Sequence, residues 1–67
     1  MIDGSQRVEF DDVHVVGIND LLMMCQIGSQ IVAVPSMQIL PGTTISGHGD
    51  HGRLVLSRRL AVSLGLV

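Results

Sequence analysis

Aromatic residues are almost missing from this 67-residue chain. Phe10 is the one aromatic ring, and the chain has no tryptophan and no tyrosine. The core must therefore be built from aliphatic residues and methionine. A domain of this length buries only about 60% of the surface that its unfolded chain exposes. Cores of this size rarely supply more than about 3–5 kcal/mol without an additional stabilising device.

Cysteine is also scarce, which excludes one such device. Cys25 is the single cysteine, so no disulfide can form within the chain, and no set of ligands has the spacing of a structural zinc site. Self-association is the remaining device, and it would cover apolar surface that a monomer exposes. The composition therefore predicts a homo-oligomer, with a dimer favoured, and no metal or other cofactor.

Lysine is absent, and the net charge of −2 at pH 7 is too small to predict a strongly charged partner. The acidic residues gather in the first twenty positions and most arginines in the last third of the chain. Two interpretations remain open: two solvated faces of one domain, or opposite charges that meet across a subunit contact. The residues are Asp3, Glu9, Asp11, Asp12 and Asp20, followed by Arg53, Arg58 and Arg59.

Export and membrane signals are missing as well. The start Met1–Gly4 has neither the basic residue nor the apolar run of a signal peptide. No apolar run approaches the roughly 20 residues that a membrane helix needs. With a single cysteine, these features predict a cytoplasmic protein without a membrane partner.

Alternating apolar residues and turn signals predict a series of short strands. Asp11-Asp12 interrupts the first of them as a bulge or a turn, and Asn19-Asp20 is a turn signal. Leu21–Ile27 contains good helix formers, but it is short, and Gly28-Ser29 leads into a second hairpin arm, so we predict a strand. The predicted strands are Arg7–Phe10, Val13–Ile18, Leu21–Ile27, Gln30–Val34, Thr43–Ile45 and Arg53–Leu56.

Proline and glycine mark the connection that follows the hairpin. Pro35 ends the hairpin arm because it has no N–H to donate, and Ser36–Gln38 is predicted to form a single 3₁₀ turn. Pro41-Gly42 is typical of a type II turn. Three glycines within residues 46–52 predict a flexible loop.

The end of the chain reads as a strand, a cap and a small helix. Ser57 is placed as an N-cap, Leu60 and Leu64 share one helical face, and Gly65 can end the helix in the left-handed conformation. The predicted fold class is mainly β: a small antiparallel SH3-like or open barrel of four or five short strands with one short C-terminal helix. We expect one domain over 7–67 after a flexible tail over 1–6.

From Val13 onward, the order of motifs resembles a group of small uncharacterised proteins of phages and other mobile bacterial elements. Those proteins have a hairpin ending in aliphatic-Trp-aliphatic-Pro, a Ser-Gln-Ile turn, a Gly-Asp-x-Gly loop, an aliphatic strand and a Leu-Ala-x-x-x-Gly-Leu helix. Here Ala33 replaces the tryptophan, and Met37 is inserted in the turn. The resemblance covers about four fifths of the chain and implies a fold and a habitat, without an activity. The matching segments are 32–35, 36–39, 49–52, 54–56 and 60–66.

Residues 52–66 also resemble the opening of AbrB-type DNA-binding domains. In those domains a Gly-x-aliphatic-aliphatic-Pro strand leads into a short helix that ends in Gly-Leu. The resemblance implies an intertwined dimer that binds DNA through basic strands. Ser57 replaces the usual proline, and the likeness is local.

Histidines are the main candidates for metal binding. His48 and His51, with Asp50 between them, have the donor atoms that zinc or nickel prefers. They share a glycine-rich loop without a fourth ligand nearby, and His14 could join them only through the fold. Solvated turn residues are the simpler interpretation.

Two further groups could carry catalysis. Cys25 and His14 could form a nucleophile and its base, although Cys25 lies in the middle of an apolar strand. Asp11 and Asp12 could act as acid and base, but neighbours in a strand point to opposite faces. We therefore predict no catalytic residue, no metal site and no enzyme.

Three arginines are the candidate contacts for nucleic acid or another partner. Arg58 and Arg59 lie at a helix N-terminus, where each positive charge is unfavourable by roughly 0.3–1 kcal/mol. With Arg53 they could bind phosphates or carboxylates. Ion pairs with the acidic N-terminal strand, or solvation, are the alternative.

The sulfur-containing residues suggest a contact surface of another kind. Methionine side chains repack easily, so the sulfur-containing group could form an adaptable surface or fill an ordinary core; it consists of Met23, Met24, Cys25 and Met37. The sequence predicts a non-enzymatic interaction module that self-associates, and the alternative is a nucleic-acid-binding accessory protein. The candidate oligomer contacts are Leu22, Met24, Met37 and Val62.

Overall fold

One open sheet of four antiparallel strands carries the fold. The computed structural model describes residues 6–67, so the predicted tail lies outside the described residues apart from Gln6. Across the sheet the order is β3-β2-β1-β4, which leaves β3 and β4 at opposite sides. The predicted mainly β fold with a C-terminal helix is confirmed. The elements are β1 (Arg7–Ile18), β2 (Leu22–Ile27), β3 (Gln30–Pro35), a 3₁₀ turn (Ser36–Gln38), β4 (His51–Ser57) and α1 (Arg58–Ser63).

Strand β1 is the central strand and is bent by two irregularities. Its pairing with β4 shifts where Asp11 and Asp12 together lie opposite Arg53. This is a β-bulge, one of the two structures predicted for Asp11-Asp12. A second shift, at Val16, interrupts the pairing with β2. Because bulges bend a strand and increase its twist, β1 can curve over the core.

The predicted hairpin of β2 and β3 forms with a two-residue turn. Gly28 has φ of +63°, which suits the first central position of a type II′ turn. The preceding turn is closed by Asn19, whose Oδ1 accepts hydrogen bonds from the backbone N–H of Leu21 and Leu22, each at 2.8 Å. Strand β2 therefore starts at Leu22, one residue later than predicted.

The connection from β3 to β4 runs along the edge of β4 that faces away from β1, and it does not form a strand. The predicted 3₁₀ turn is present, and Gly42, with φ of +103°, lies in the predicted Pro41-Gly42 turn. The prediction of a short strand at Thr43–Ile45 is wrong. The threonines bond to β4 partly through their hydroxyl groups, so no regular backbone ladder forms.

The glycine-rich segment before β4 is a hydrogen-bonded turn. The Asp50 carboxylate accepts hydrogen bonds from the backbone N–H of Ser46 at 2.8 Å and of Gly47 at 2.9 Å. The Asp50 carbonyl oxygen accepts another from the N–H of Val15 at 2.9 Å. Residues 46–50 are thus tied together and to β1, where the sequence predicted a flexible loop.

Strand β4 and α1 form the predicted strand, cap and helix, with β4 starting two residues earlier than predicted. Ser57 Oγ accepts a hydrogen bond from the N–H of Leu60 at 3.1 Å, as an N-cap should. Beyond α1, Gly65 has φ of +77°, and the N–H of Leu66 donates to the carbonyl oxygen of Ala61 at 2.9 Å. This is the Schellman end of a helix.

The core lies on one face of the sheet. Ile45 from the connection and Leu60 from α1 pack there against buried strand residues. Val55 is buried on the opposite side, next to Gly42 of the Pro41-Gly42 turn. Among the described residues, no helix is long and apolar enough to cross a membrane. The buried strand residues of the core are Val13, Val15, Met23, Cys25, Val34, Leu54 and Leu56.

Candidate functional site

The sheet face opposite the core, here called the outer face, has a charged half and an apolar half. Strands β1 and β4 form the charged half, where His14, His51 and Arg53 alternate with buried residues. Strands β2 and β3 form the apolar half, and residues 21–49 contain no Asp, Glu, Lys or Arg at all. The outer-face residues of the apolar half are Leu22, Met24, Gln26, Ile31, Ala33 and Pro35.

Arg53 is surrounded by carboxylates in the charged half. Its Nε lies 3.5 Å from Oδ1 of Asp11 and 3.9 Å from Oε1 of Glu9. The three side chains are about half exposed or more, so each pair contributes only about 0–1 kcal/mol to stability. The two carboxylates nevertheless offset the positive charge of Arg53. This candidate arginine therefore offers less net charge to a phosphate than the sequence suggested.

The bulge in β1 brings both aspartates to the outer face. Asp12 has φ of +58°, a left-handed conformation that few residues other than glycine, asparagine and aspartate adopt readily. Asp11 contacts Arg53 there, and Asp12 contacts His51. The expectation that the adjacent aspartates point to opposite faces is wrong, because the bulge inserts a residue into the alternation.

His14 and His51 form a stacked pair across β1 and β4. The two residues face each other in the register of the sheet, and their ring centroids are 4.0 Å apart with 6° between the ring planes. His51 Nε2 also lies 3.4 Å from Oδ1 of Asp12. The sequence could not place this pair, because it depends on the register between strands that are distant along the chain.

The histidine pair lies beside an open groove of about 660 Å³. His48 and His14 both line this groove. The arrangement of the histidine rings does not suit a metal. The ring lone pairs of His14 and His51 lie in two nearly parallel planes, so they do not aim at one ion. Among residues 6–67, no group of three or more His, Cys, Asp or Glu is arranged to hold a metal. The groove is lined by Asp11, Asp12, His14, Val15, Val16, Gln26, Gly28, His48 and Gly49.

Cys25 is separated from this groove by the sheet. Its side chain is fully buried in the core, and its thiol donates to the carbonyl oxygen of Met23 at 3.7 Å. Burial raises the pKa of the Cys25 thiol, because desolvation disfavours the thiolate. His14 is on the other face, so the structure does not bring the two residues together as a nucleophile and base.

The apolar half contains two of the four candidate oligomer contacts. Leu22 and Met24 lie on the outer face of β2, and Met24 is opposite Ala33 of β3. Met37, in the 3₁₀ turn that follows β3, is 93% exposed. Val62 is 53% exposed on α1, whose buried side packs against the core, so it lies apart from Leu22 and Met24.

Arg58 and Arg59 lie in the first turn of α1 and are both exposed. The backbone N–H of Arg58 donates to the carbonyl oxygen of Gln6 at 2.6 Å, which ties the start of α1 to the chain before β1. Arg7, the remaining arginine, donates from Nη2 to the carbonyl oxygen of Pro41. The structure therefore presents two exposed guanidinium groups at one end of the sheet.

The two edges of the sheet differ in their hydrogen bonding. Along β4, the N–H groups of Arg53 and Val55 donate to the hydroxyls of Thr44 and Thr43, each at 2.9 Å. The carbonyl oxygens of Arg53 and Val55 accept from the N–H of Thr44 and Leu40. This edge is therefore covered by the connection. Strand β3 is last in the sheet, and no described strand pairs with its outer edge.

Comparison of the chain with protein-family models, with curated proteins and with solved structures gives no match. The outer face and the two sheet edges are the features of the molecule that bear on its function.

Proposed function

We propose that this protein is a non-enzymatic module that associates with copies of itself through the apolar half of its outer face and the adjoining edge of β3. The observation that carries the proposal is the absence of charge from residues 21–49, which include both strands of this region. Monomeric proteins usually protect a sheet edge with charges, proline or a covering segment. Here Pro35 blocks only the last position of β3.

The exposed side chains around this region support the same proposal. Ile31 on β3 is 57% exposed, and Leu21, in the turn before β2, is 72% exposed. Complete burial of such a side chain contributes about 1.5–3 kcal/mol. In a chain with one aromatic residue and no disulfide, burial between subunits adds apolar contact that the small core does not provide.

The substitution Ile31→Lys tests this proposal. Ile31 lies on the outer face at the open edge of β3 and is exposed, and a lysine there would bring an unpaired ammonium into the contact between subunits, which is costly. We expect the wild-type protein to sediment as an oligomer at micromolar concentration and the variant to sediment as a monomer with an unchanged circular dichroism spectrum.

Val62→Lys is the matched control for this experiment. It makes the same kind of change at an exposed aliphatic residue, but on the solvent side of α1. We expect its sedimentation to equal that of the wild type. A wild-type protein that stays monomeric throughout the concentration series would contradict the proposal.

A second proposal assigns nucleic-acid binding to the arginines, and the exposure of Arg58 and Arg59 supports it. Electrostatic binding of this kind weakens as salt rises. We expect DNA binding at about 50 mM salt to be lost in the double variant Arg58→Gln, Arg59→Gln. The variant Arg53→Gln should change it little, because carboxylates already offset that charge. Absence of binding by the wild type at low salt would end this proposal. The cytoplasmic location and the mobile-element context remain predictions from the sequence.

A further inference from the structure

The outer edge of β3 offers a short, uncharged set of backbone groups. In a hairpin with a two-residue turn, the residues that flank the turn exchange hydrogen bonds, and pairs alternate from there along the strands. Ile27 and Gln30 flank the turn, so the N–H and C=O groups of Ile31 and Ala33 point away from β2. Pro35 adds a carbonyl oxygen on that side but no N–H.

This pattern of donors and acceptors is complementary to itself. If two β3 strands run antiparallel with Ala33 on the two-fold axis, each Ala33 N–H donates to the Ala33 carbonyl of the other copy. Each Ile31 N–H then donates to the other copy's Pro35 carbonyl, whereas the Ile31 carbonyl accepts no hydrogen bond in return, because proline has no N–H. Both edge donors of each subunit are satisfied in this register, and no charged side chain opposes another.

The covered edge of β4 limits how far such pairing can extend. Thr43 and Thr44 already bond the N–H groups of Val55 and Arg53, so a third copy finds no open backbone there. An interface that uses the same patch on both subunits closes after two copies. Because only one side of each sheet is open among the described residues, pairing yields a dimer and not a fibre.

We infer that this protein forms a two-fold dimer in which two β3 strands pair antiparallel about Ala33, joining the two sheets into one of eight strands. This inference rests on the proposed self-association and specifies its partner, a second copy of the chain, and its geometry. The apolar halves of the two outer faces become continuous across the axis, with Ile31 of each copy beside Pro35 of the other.

The substitution Ala33→Pro tests the edge pairing. The Ala33 N–H faces away from β2, so proline removes it without removing a hydrogen bond within the subunit, and proline is tolerated on such edge strands. We expect the variant to sediment as a folded monomer at concentrations where the wild type is a dimer. A variant that keeps the wild-type dimer would overturn the inference.

Cysteine cross-linking tests the register even if the proline variant does not fold. Residues in a hydrogen-bonded antiparallel pair have Cα atoms about 5.5 Å apart, within the range of a disulfide. We expect Ala33→Cys to form a covalent dimer on mild oxidation, and a mixture of Ile31→Cys and Pro35→Cys proteins to form a mixed dimer. The native chain is the control, because its Cys25 is fully buried.

The outcomes separate the two levels of the proposal. A wild-type monomer overturns both the self-association and this inference. A wild-type oligomer that Ala33→Pro leaves intact, or in which Ala33→Cys does not cross-link, supports self-association but overturns the β3 pairing. A wild-type assembly larger than a dimer overturns the closure by the covered β4 edge.

Discussion

Asp50 shows how one side chain decides the structure of a glycine-rich segment. Its pKa is lowered first by the hydrogen bond from the Ser46 N–H and next by that from the Gly47 N–H. The glycine content of this segment predicted a flexible loop. Glycine content alone does not show that a carboxylate accepts hydrogen bonds from these backbone groups. Asp50 accepts from backbone groups that precede it in the chain, the reverse of the local Asx turn, so the usual turn signals do not reveal this segment.

We predict that the contribution of Asp50 to stability is lost in acid. Because its folded-state pKa is lowered, the unfolded chain takes up a proton at higher pH than the folded chain does. The contribution is therefore complete above the ordinary value of 3.8 and disappears as the pH falls through the lower folded-state pKa. Urea unfolding should show Asp50→Asn less stable than the wild type at pH 7, with the difference narrowing below about pH 4. A difference that stays constant with pH would contradict this.

At the scale of elements, the four strands and the helix could be predicted, but the strand predicted at Thr43–Ile45 is absent. The bulge at Asp11-Asp12, the hairpin, the Ser57 cap and the Gly65 end follow from local residue types, so they are visible in the sequence. Thr43 and Thr44 have strand-like propensity, but their hydroxyls take the place of backbone carbonyls in bonding β4. Whether a hydroxyl or a carbonyl accepts from β4 depends on how the connection lies along that strand, which local residue types do not show.

We predict that the hydroxyls of Thr43 and Thr44 both stabilise the fold and keep the β4 edge closed. The double variant Thr43→Val, Thr44→Val has nearly the same shape, but it leaves the N–H groups of Val55 and Arg53 without acceptors. We expect the free energy of unfolding to fall by about 1–3 kcal/mol and species larger than a dimer to appear in sedimentation.

The matched control for this variant keeps both hydroxyls. The double substitution Thr43→Ser, Thr44→Ser should retain the acceptors and therefore the wild-type size distribution. Larger species in the serine variant as well would mean that the threonine methyl groups, and not the hydrogen bonds, limit assembly.

At the scale of the whole molecule, the separation of charged and apolar halves comes from the sheet order. The sequence displays the uncharged stretch 21–49 plainly, but it does not reveal that β4 returns to β1 and places Arg53 beside Asp11. The His14–His51 stack was hidden for the same reason. The uncharged half can therefore be recognised from the sequence, whereas the arrangement of the charged half required the structure.

The proposed dimer predicts a concentration-dependent thermal stability. Association stabilises the folded state by mass action, so the Tm of the wild type should rise with protein concentration. Ala33→Pro should remove this dependence and unfold at one temperature across the series. A wild-type Tm that is constant from low to high micromolar concentration would argue against a dimer that forms in this range.

The return of β4 to the first strand also has a consequence for folding kinetics. Residues 7–35 can pair as a three-stranded meander through partners that are close along the chain, whereas β1 and β4 pair between residues that are 37 (His14 with His51) to 50 (Arg7 with Ser57) positions apart. Pairings this distant form slowly, so a partly folded chain exposes the unpaired flank of β1 and is most vulnerable to aberrant contacts with its neighbours in the interval before β4 docks.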